Sequence, residues 1–334
     1  ILLVADKCKP AKKDLIGIVF LKKSIRSMSL SETEQMAERI ESSPRKVGSC
    51  QDHEFDILFK AQGELADLQE NLMPILGASE LRSLQAFTEF TRLMKRRAGD
   101  KLRTLKGFTI REGFHASPAG LSQLTFVTRP TGARRVSRAF LLLGSENAKS
   151  INANVKGTDL WVRVEKAKVL PALRTLTNVS SFHVQSNCDY FIKEYFENYR
   201  SVLLLSKWQE KRKFSWRLVA EKASGKPTYL ALARRFRPNS KNTHLFAFYS
   251  NSRFMVPDTF KIIQTTKQES KLQCLYLNSV LGLLNVVLFR EQTTGGYTDI
   301  RESDLRLFDT IDSRKLSNTA VGALNDLFVK LRSV

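Results

Sequence analysis

Two short apolar runs stand near the start of the chain, ILLVA over residues 1–5 and IGIVFL over 16–21, with the polar stretch Asp6 to Asp14 between them. Runs that are apolar at every position suit strands buried on both faces, so the pattern predicts two neighbouring strands joined by a loop. Ser29 to Glu34 (SLSETE) then offers hydroxyl caps and early acids, and Met36, Ala37 and Ile40 supply a stripe at helical spacing. A helix over 31–42 follows, ended by Ser42-Ser43-Pro44. Residues 44–54 are polar and carry Pro44 and Gly48, a composition that reads as a linker and a boundary. Beyond it, Leu65, Leu68, Leu72 and Leu76, then Leu81, Leu84, Phe87, Phe90 and Met94, recur three and four apart and predict two packed helices.

From about residue 104 the texture changes to short β-rich pieces: Phe108 to Ile110, Leu124 to Val127, Ala139 to Leu143, Leu160 to Val164 and Ser201 to Leu205. Two helical intervals interrupt them, Asp189 to Tyr199 and a second from near Lys271 through Leu284; Val321, Leu324, Leu327, Phe328 and Leu331 predict a closing helix. The longest apolar runs, such as Ala139 to Leu143 and Leu283 to Phe289 around Asn285, are far shorter than the roughly 20 residues that span a bilayer, so no membrane partner is expected. Ile1-Leu2-Leu3-Val4 has no Met and no basic region before it and reads as an interior strand of a longer chain rather than a signal peptide.

Charge changes the picture. With 54 Lys+Arg against 33 Asp+Glu, the 334 residues carry a formal +21, a surplus that draws a polyanion, nucleic acid first. The cations cluster: Lys95, Arg96 and Arg97, with Lys101, Arg103 and Lys106 after them; Arg134, Arg135 and Arg138; Lys207, Lys211, Arg212 and Lys213; Arg234, Arg235 and Arg237. Each cation that meets a phosphate releases a counterion, which gives salt-sensitive affinity without reading a base. The third cluster is interleaved with Trp208, Phe214 and Trp216, rings that either stack on an unpaired base or, the reading preferred here, fill the core of a strand pair. The loop Arg237 to Asn242 (RPNSKN) offers amide and guanidinium groups of the kind that reach base edges.

Other chemistry has little support. His53, His115, His183 and His244 are scattered, and Cys8, Cys50, Cys188 and Cys274 form no C-x-x-C pair, which argues against a metal site and a disulfide framework and fits a cytoplasmic location. Cys188 beside His183 or His115 would be a nucleophile pair, but isolated cysteines more often act as small buried hydrophobes. Neither G-x-G-x-x-G nor G-x-x-x-x-G-K-[ST] occurs; Gly295-Gly296 reads as a turn, and no carboxylate pair is set by spacing for acid/base work.

Residues 275–308, LYLNSVLGLLNVVLFREQTTGGYTDIRESDLRLF, place Leu277-Asn278-Ser279 on an apolar helix, then Thr294-Gly295-Gly296, a short strand and Ser303-Asp304-Leu305. This order resembles the C-terminal target-recognition region of adenine-specific (N-6) DNA methyltransferases of restriction-modification systems. The run from Arg234-Arg235-Phe236 to Phe254-Met255-Val256-Pro257-Asp258-Thr259 is similar to the segment before that helix, and residues 1–42 look like the last strands and helix of the family's catalytic domain. The resemblance implies an α/β edge, the end of a Rossmann-like methyltransferase sheet, at 1–43. A helical connector at 44–103 and an α+β target-recognition domain at 104–334 follow. It implies that duplex DNA is the partner, gripped by the cations named above, with Asn278, Ser279, Gly295 and Gly296 as a structural motif. A polar Asn278 and Ser279 in an apolar helix must find partners, and a tie to a neighbouring loop is expected.

The family's Asn/Asp-Pro-Pro-Tyr/Phe motif and its glycine-containing loop for S-adenosylmethionine do not occur in this sequence. The resemblance therefore implies that this chain binds no cofactor and contains no catalytic residue. S-adenosylmethionine and base flipping belong to an N-terminal catalytic half of the same polypeptide. The alternative is a stand-alone specificity or nucleic-acid-binding subunit, RNA included, without catalysis in cis. A nuclease ranks third, since no acidic pair with a following Lys stands out.

Overall fold

The run Leu15 to Leu21 is a strand because its residues alternate between two covered faces, and Ile18, Val19 and Phe20 are all buried. The computed structural model describes residues 2–3, 15–61, 86, 89, 93, 96–115, 121–130, 139–176, 179, 181–206, 214–236, 245–289, 291–292 and 298–331. They form a mixed α/β structure with several sheets. The chain divides into two compact units, residues 1–99 with 287–290, and residues 100–286 with 291–334.

In the first unit β1 (Leu2–Leu3), β2 (Leu15–Leu21), β3 (Gly48–Gln51) and β4 (Phe55–Ala61) make one antiparallel sheet in the order β1-β2-β4-β3, with α1 (Leu30–Ser42) inserted between β2 and β3. The helix begins where the sequence predicts. Ser29 Oγ accepts from Glu32 N at 3.3 Å while Ser29 N donates to Glu32 Oε2 at 2.7 Å, so two amides left over by the first turn are satisfied at once. Met36 is its buried anchor, packed with Val19, Phe55, Ile57 and Phe59, and Ile40 lies one turn on. The expected linker over 44–54 is corrected: β3 lies inside it and pairs with β4 along its length. This edge strand is mostly exposed and carries no apolar alternation, which is why its sequence has the texture of a loop. The first expected helix of 65–76 lies outside the described residues, and of the second only Ala86, Glu89, Leu93 and the helical turn at 96–98 are described.

The second unit runs β5 (Leu102–Thr104), β6 (Thr109–Glu112), α2 (Leu121–Thr125), β7 (Phe126–Thr128), β8 (Leu141–Glu146), β9 (Ser150–Val155), β10 (Trp161–Glu165), β11 (Val169–Ala172), β12 (Asp189–Ile192), α3 (Tyr199–Leu205) and α4 (Trp216–Ala223). It continues through β13 (Thr228–Ala233), β14 (Arg235–Phe236), β15 (Ala247–Phe254), β16 (Phe260–Gln264), α5 (Lys267–Leu277), α6 (Val280–Phe289, whose residues 287–289 count with the first unit), β17 (Glu291–Gln292), β18 (Thr298–Asp299), α7 (Glu302–Leu305), β19 (Asp309–Ile311) and α8 (Asn318–Leu331). A six-stranded sheet has the order β10-β9-β8-β7-β12-β11, in which only β7 and β8 are parallel among the described strands. A four-stranded antiparallel sheet has the order β15-β13-β16-β6, and α5 packs on it. The two sheets are stitched together by backbone bridges, Met255 N to Pro171 O at 2.9 Å and Leu173 N to Met255 O at 3.0 Å. At this seam Phe114, Phe126 and Phe191 meet edge to face with centroids 4.9 to 6.1 Å apart.

Four further expectations need correction. Asp189 to Tyr199, expected as a helix, begins with β12, whose four residues are all buried inside the six-stranded sheet. A continuous apolar run has no period, so the pattern alone cannot separate strand from helix. Ser201 to Leu205, expected as a strand, is the body of α3, with Val202 inside and Leu204 and Leu205 exposed. Leu124 belongs to α2 rather than to the strand that follows it. The single helix expected from Lys271 through Leu284 is two, α5 and α6, broken at Asn278-Ser279. Among the described residues no helix is long and apolar enough to cross a membrane.

Candidate nucleic-acid interface

Antiparallel pairing of β6 with β16 sets Glu112 opposite Lys261, and their side chains meet at 2.8 Å. Lys261 is buried, so its ammonium needs that carboxylate. The Lys261 hydrogen bond, assisted by the Arg234 charge, holds the Glu112 carboxyl below its usual range against the effect of burial. Arg234 reaches Glu112 at 3.4 Å and Asp299 at 3.0 Å, while Arg235 takes the other oxygen of Asp299 at 3.0 Å through Nη2. Burial alone would raise the Asp299 carboxyl, but the hydrogen bonds from Arg234 and Arg235 outweigh it. Lys226 donates to the Glu112 carbonyl at 2.7 Å, and burial, with Arg111 close by, lowers its ammonium. Three paired cations share two carboxylates here. Arg235 is the exposed member, at 60%, and remains able to meet a phosphate.

A second concentration lies at the end of β8. The Glu146 carboxylate accepts from Arg129, from Tyr190 Oη and, at 2.6 Å, from Lys166. Burial pushes its carboxyl up, yet those hydrogen bonds win and bring it down to about 2. The Lys166 ammonium also sits 4.3 Å from the centre of the Tyr190 ring. On β15 and the turn before β12, Asn251 Nδ2 donates to Gln185 Oε1 at 3.1 Å and Gln185 Nε2 to Ser252 Oγ at 3.4 Å, which sets a chain of amides at the surface. Tyr249 Oη anchors it through Asn251 Oδ1 at 3.1 Å.

No protein-family model and no curated protein matches the chain. Among solved structures it is similar to the type IIG restriction endonuclease BpuSI, at 11% identity and a TM-score of 0.47, over 96% of this chain and 35% of that one. The chain thus spans about a third of that enzyme's length, and at this distance the likeness assigns no activity or partner.

Of the cations expected to hold DNA, Arg96 and Arg97 are exposed and make no ion pair with a described residue. Arg234 is committed to its two carboxylates. Lys95, Arg134, Arg135, Arg138, Lys211, Arg212 and Arg237 lie outside the described residues, as do Trp208, Gly295 and Gly296. Trp216 heads α4, not a strand, and is half-buried edge to face on Phe196, Tyr199 and Phe214. Asn278 does tie its helix to a neighbour: Oδ1 accepts from Phe246 N at 2.8 Å and Ala247 N at 2.9 Å, and Nδ2 donates to Ala247 O at 2.8 Å. Ser279 Oγ accepts from Gly282 N at 3.3 Å, starting α6.

The Cys188 thiol is buried and its ionisation is pushed up by that burial, the opposite of what a nucleophile requires. Asp52, His53 and Glu54 bring ligand atoms within 4.8 Å of one another, but Arg39 already pairs with both carboxylates. Gln185, Asn251 and Glu146 were not singled out by the sequence, because each acquires its partners from strands far away in the chain.

Proposed function

We propose that this chain grips and reads double-stranded DNA as the target-recognition part of an S-adenosylmethionine-dependent, adenine-specific DNA methyltransferase of restriction-modification type. The carrying observation is the surplus of 21 positive charges on a chain with otherwise ordinary globular composition. Exposed Arg96, Arg97 and Arg235 support the reading as phosphate contacts, and the sequence resemblance over 234–308 supplies the enzyme class. In this reading residues 1–43 are the end of the catalytic domain, 44–103 a connector that opens with the strands β3 and β4 where helix was expected, and residues 104–334 the recognition domain. Methyl transfer belongs to a lobe carrying the Pro-Pro and glycine-loop motifs that this sequence lacks; that lobe binds the cofactor and receives the flipped adenine.

The test is a mobility-shift series with the purified chain on duplex DNA and on RNA of matched length. Duplex DNA is expected to bind preferentially, with affinity falling by about a hundredfold or more between about 50 and about 200 mM salt as released counterions are lost as a driving force. The second reading is a specificity or nucleic-acid-binding subunit without catalysis in cis, which a coding sequence lacking the Pro-Pro motif upstream of Ile1 would favour. Tighter binding to RNA than to duplex DNA would move the assignment to an RNA-binding module.

A further inference from the structure

Trp161 is the first residue of β10, an edge strand, and it is 55% exposed although indole is among the costliest groups to leave in water. Its place on the sheet is fixed by register. Trp161 faces Asn154 of β9, which faces Leu142 of β8; Arg163 faces Asn152, which faces Ser145. These six side chains share one face of the sheet. The ladder between β8 and β9 shifts register between Leu143 and Ser145, and Gly144 sits in that irregularity.

A Cβ on Gly144 would lie 2.3 Å from Cζ3 and 2.6 Å from Cη2 of Trp161. The indole of β10 therefore reaches across β9 to β8, and its Cζ3–Cη2 edge takes the space that the glycine leaves open. With 55% of the residue in solvent, much of the ring stays open to a ligand. The neighbours are held as well. Asn152 Nδ2 donates to Ser145 Oγ at 3.0 Å, and Asn154 Nδ2 donates to Thr158 O at 2.9 Å. Both amide oxygens are left as acceptors among the described residues. Arg163 Nε donates to Ser150 Oγ at 3.2 Å, which anchors the guanidinium on the same face of the sheet as the ring, two residues along β10. No carboxylate stands in the rows of Trp161 and Arg163, and Glu165 on the next row pairs with Lys168 at 3.3 Å.

From this we infer that the outer face of β8-β9-β10 is a stacking platform for a DNA base held outside the duplex stack, with Trp161 under the base and Arg163 beside it for the phosphate. A flat ring, already immobilised, loses little freedom when a base covers it. The local charge, cationic without a facing acid, suits a nucleic-acid strand rather than an acidic or apolar protein surface. The two amide oxygens are placed to accept from exocyclic amino groups at a base edge. The inference rests on the reading of the chain as a DNA-binding protein and gives that reading a specific contact.

The experiment compares wild type, Trp161→Ala, Trp161→Phe and Gly144→Ala as full chains, with circular dichroism to verify the fold of each. The probes are a fully paired duplex and the same duplex carrying one unpaired 2-aminopurine. Trp161→Ala is expected to weaken binding of the unpaired-base probe about ten- to hundredfold, Trp161→Phe to retain most of it, and the paired duplex to change little. Gly144→Ala, which evicts the ring while keeping it in the chain, is expected to reproduce Trp161→Ala. Quenching of the indole fluorescence by the probe is expected in wild type and in much smaller degree in Trp161→Phe. Equal affinity of wild type and Trp161→Ala for the unpaired-base probe overturns the platform and leaves DNA binding standing. Loss of self-association or of a protein contact in Trp161→Ala, without an effect on DNA, overturns it in favour of a protein interface. Failure of the wild type to bind either duplex at low salt removes the DNA-binding reading itself.

Discussion

Asn278 shows how much one side chain can hold. It satisfies the amides of Phe246 and Ala247, both buried at the entry to β15, and donates back to Ala247 O. Replacing it with Ala strands two amides away from water, so Asn278→Ala is expected to cost about 2–4 kcal/mol, read as a lower urea midpoint with an unchanged slope. Its importance was legible in the sequence because a lone amide in an apolar stretch must find a partner. Glu146 was not legible, since Arg129, Lys166 and Tyr190 reach it from three other elements. Its folded carboxyl, at about 2, lies below the ordinary 4.5. A depressed acid stabilises the fold above its unfolded value and loses that contribution as pH falls toward its folded value. Stability is therefore expected to decline between about pH 4.5 and pH 2 with a component that Glu146→Gln removes, measured as thermal midpoint against pH in wild type and variant.

At the scale of elements, the break between α5 and α6 depends on a close approach of backbones. A Cβ at Gly282 would come within 2.4 Å of Leu277 Cα and O and of Tyr276 O, atoms that have nowhere to retreat. Gly282→Ala is expected to lower stability by about 1–3 kcal/mol. Gly322, inside α8 with nothing within 4 Å of an added Cβ, provides the contrast: Gly322→Ala is expected to raise stability by about 0.5–1 kcal/mol through helix propensity alone. Thermal unfolding of the two variants side by side checks both signs. Elements with a clear period were readable in advance, as α1, β10 and α8 attest, because one exposed face forces polar residues into register with it. β12 and α3 were exchanged because an apolar run of four or five residues fits either geometry until its neighbours are known. The break at Asn278 was hidden by continuous hydrophobicity on both sides of it.

At the scale of the molecule, the charge surplus was readable from composition, whereas its partition was not. The sequence presents Arg234 and Arg235 as one basic pair, yet Asp299 and Glu112 engage Arg234 at the centre of a network and leave Arg235 facing outward. A mixture of helices and strands was anticipated, but the stitching of β11 to Met255 was not, because it depends on an isolated bridge without repeating pattern. The surface of β8-β9-β10 was likewise silent, since a tryptophan at a strand edge and a glycine two strands away acquire meaning only when they touch.

The pairing of β5 with β19, Leu102 opposite Ile311, joins the two ends of the second unit. During synthesis on the ribosome, the strand that leaves the exit tunnel first must wait for nearly the last one, and β6 must wait for β16. Until then both present bare edges to the crowded cell. Pairings so distant in sequence are expected to slow the folding of this unit, and a nascent chain stopped before Asp309 keeps one of those edges open.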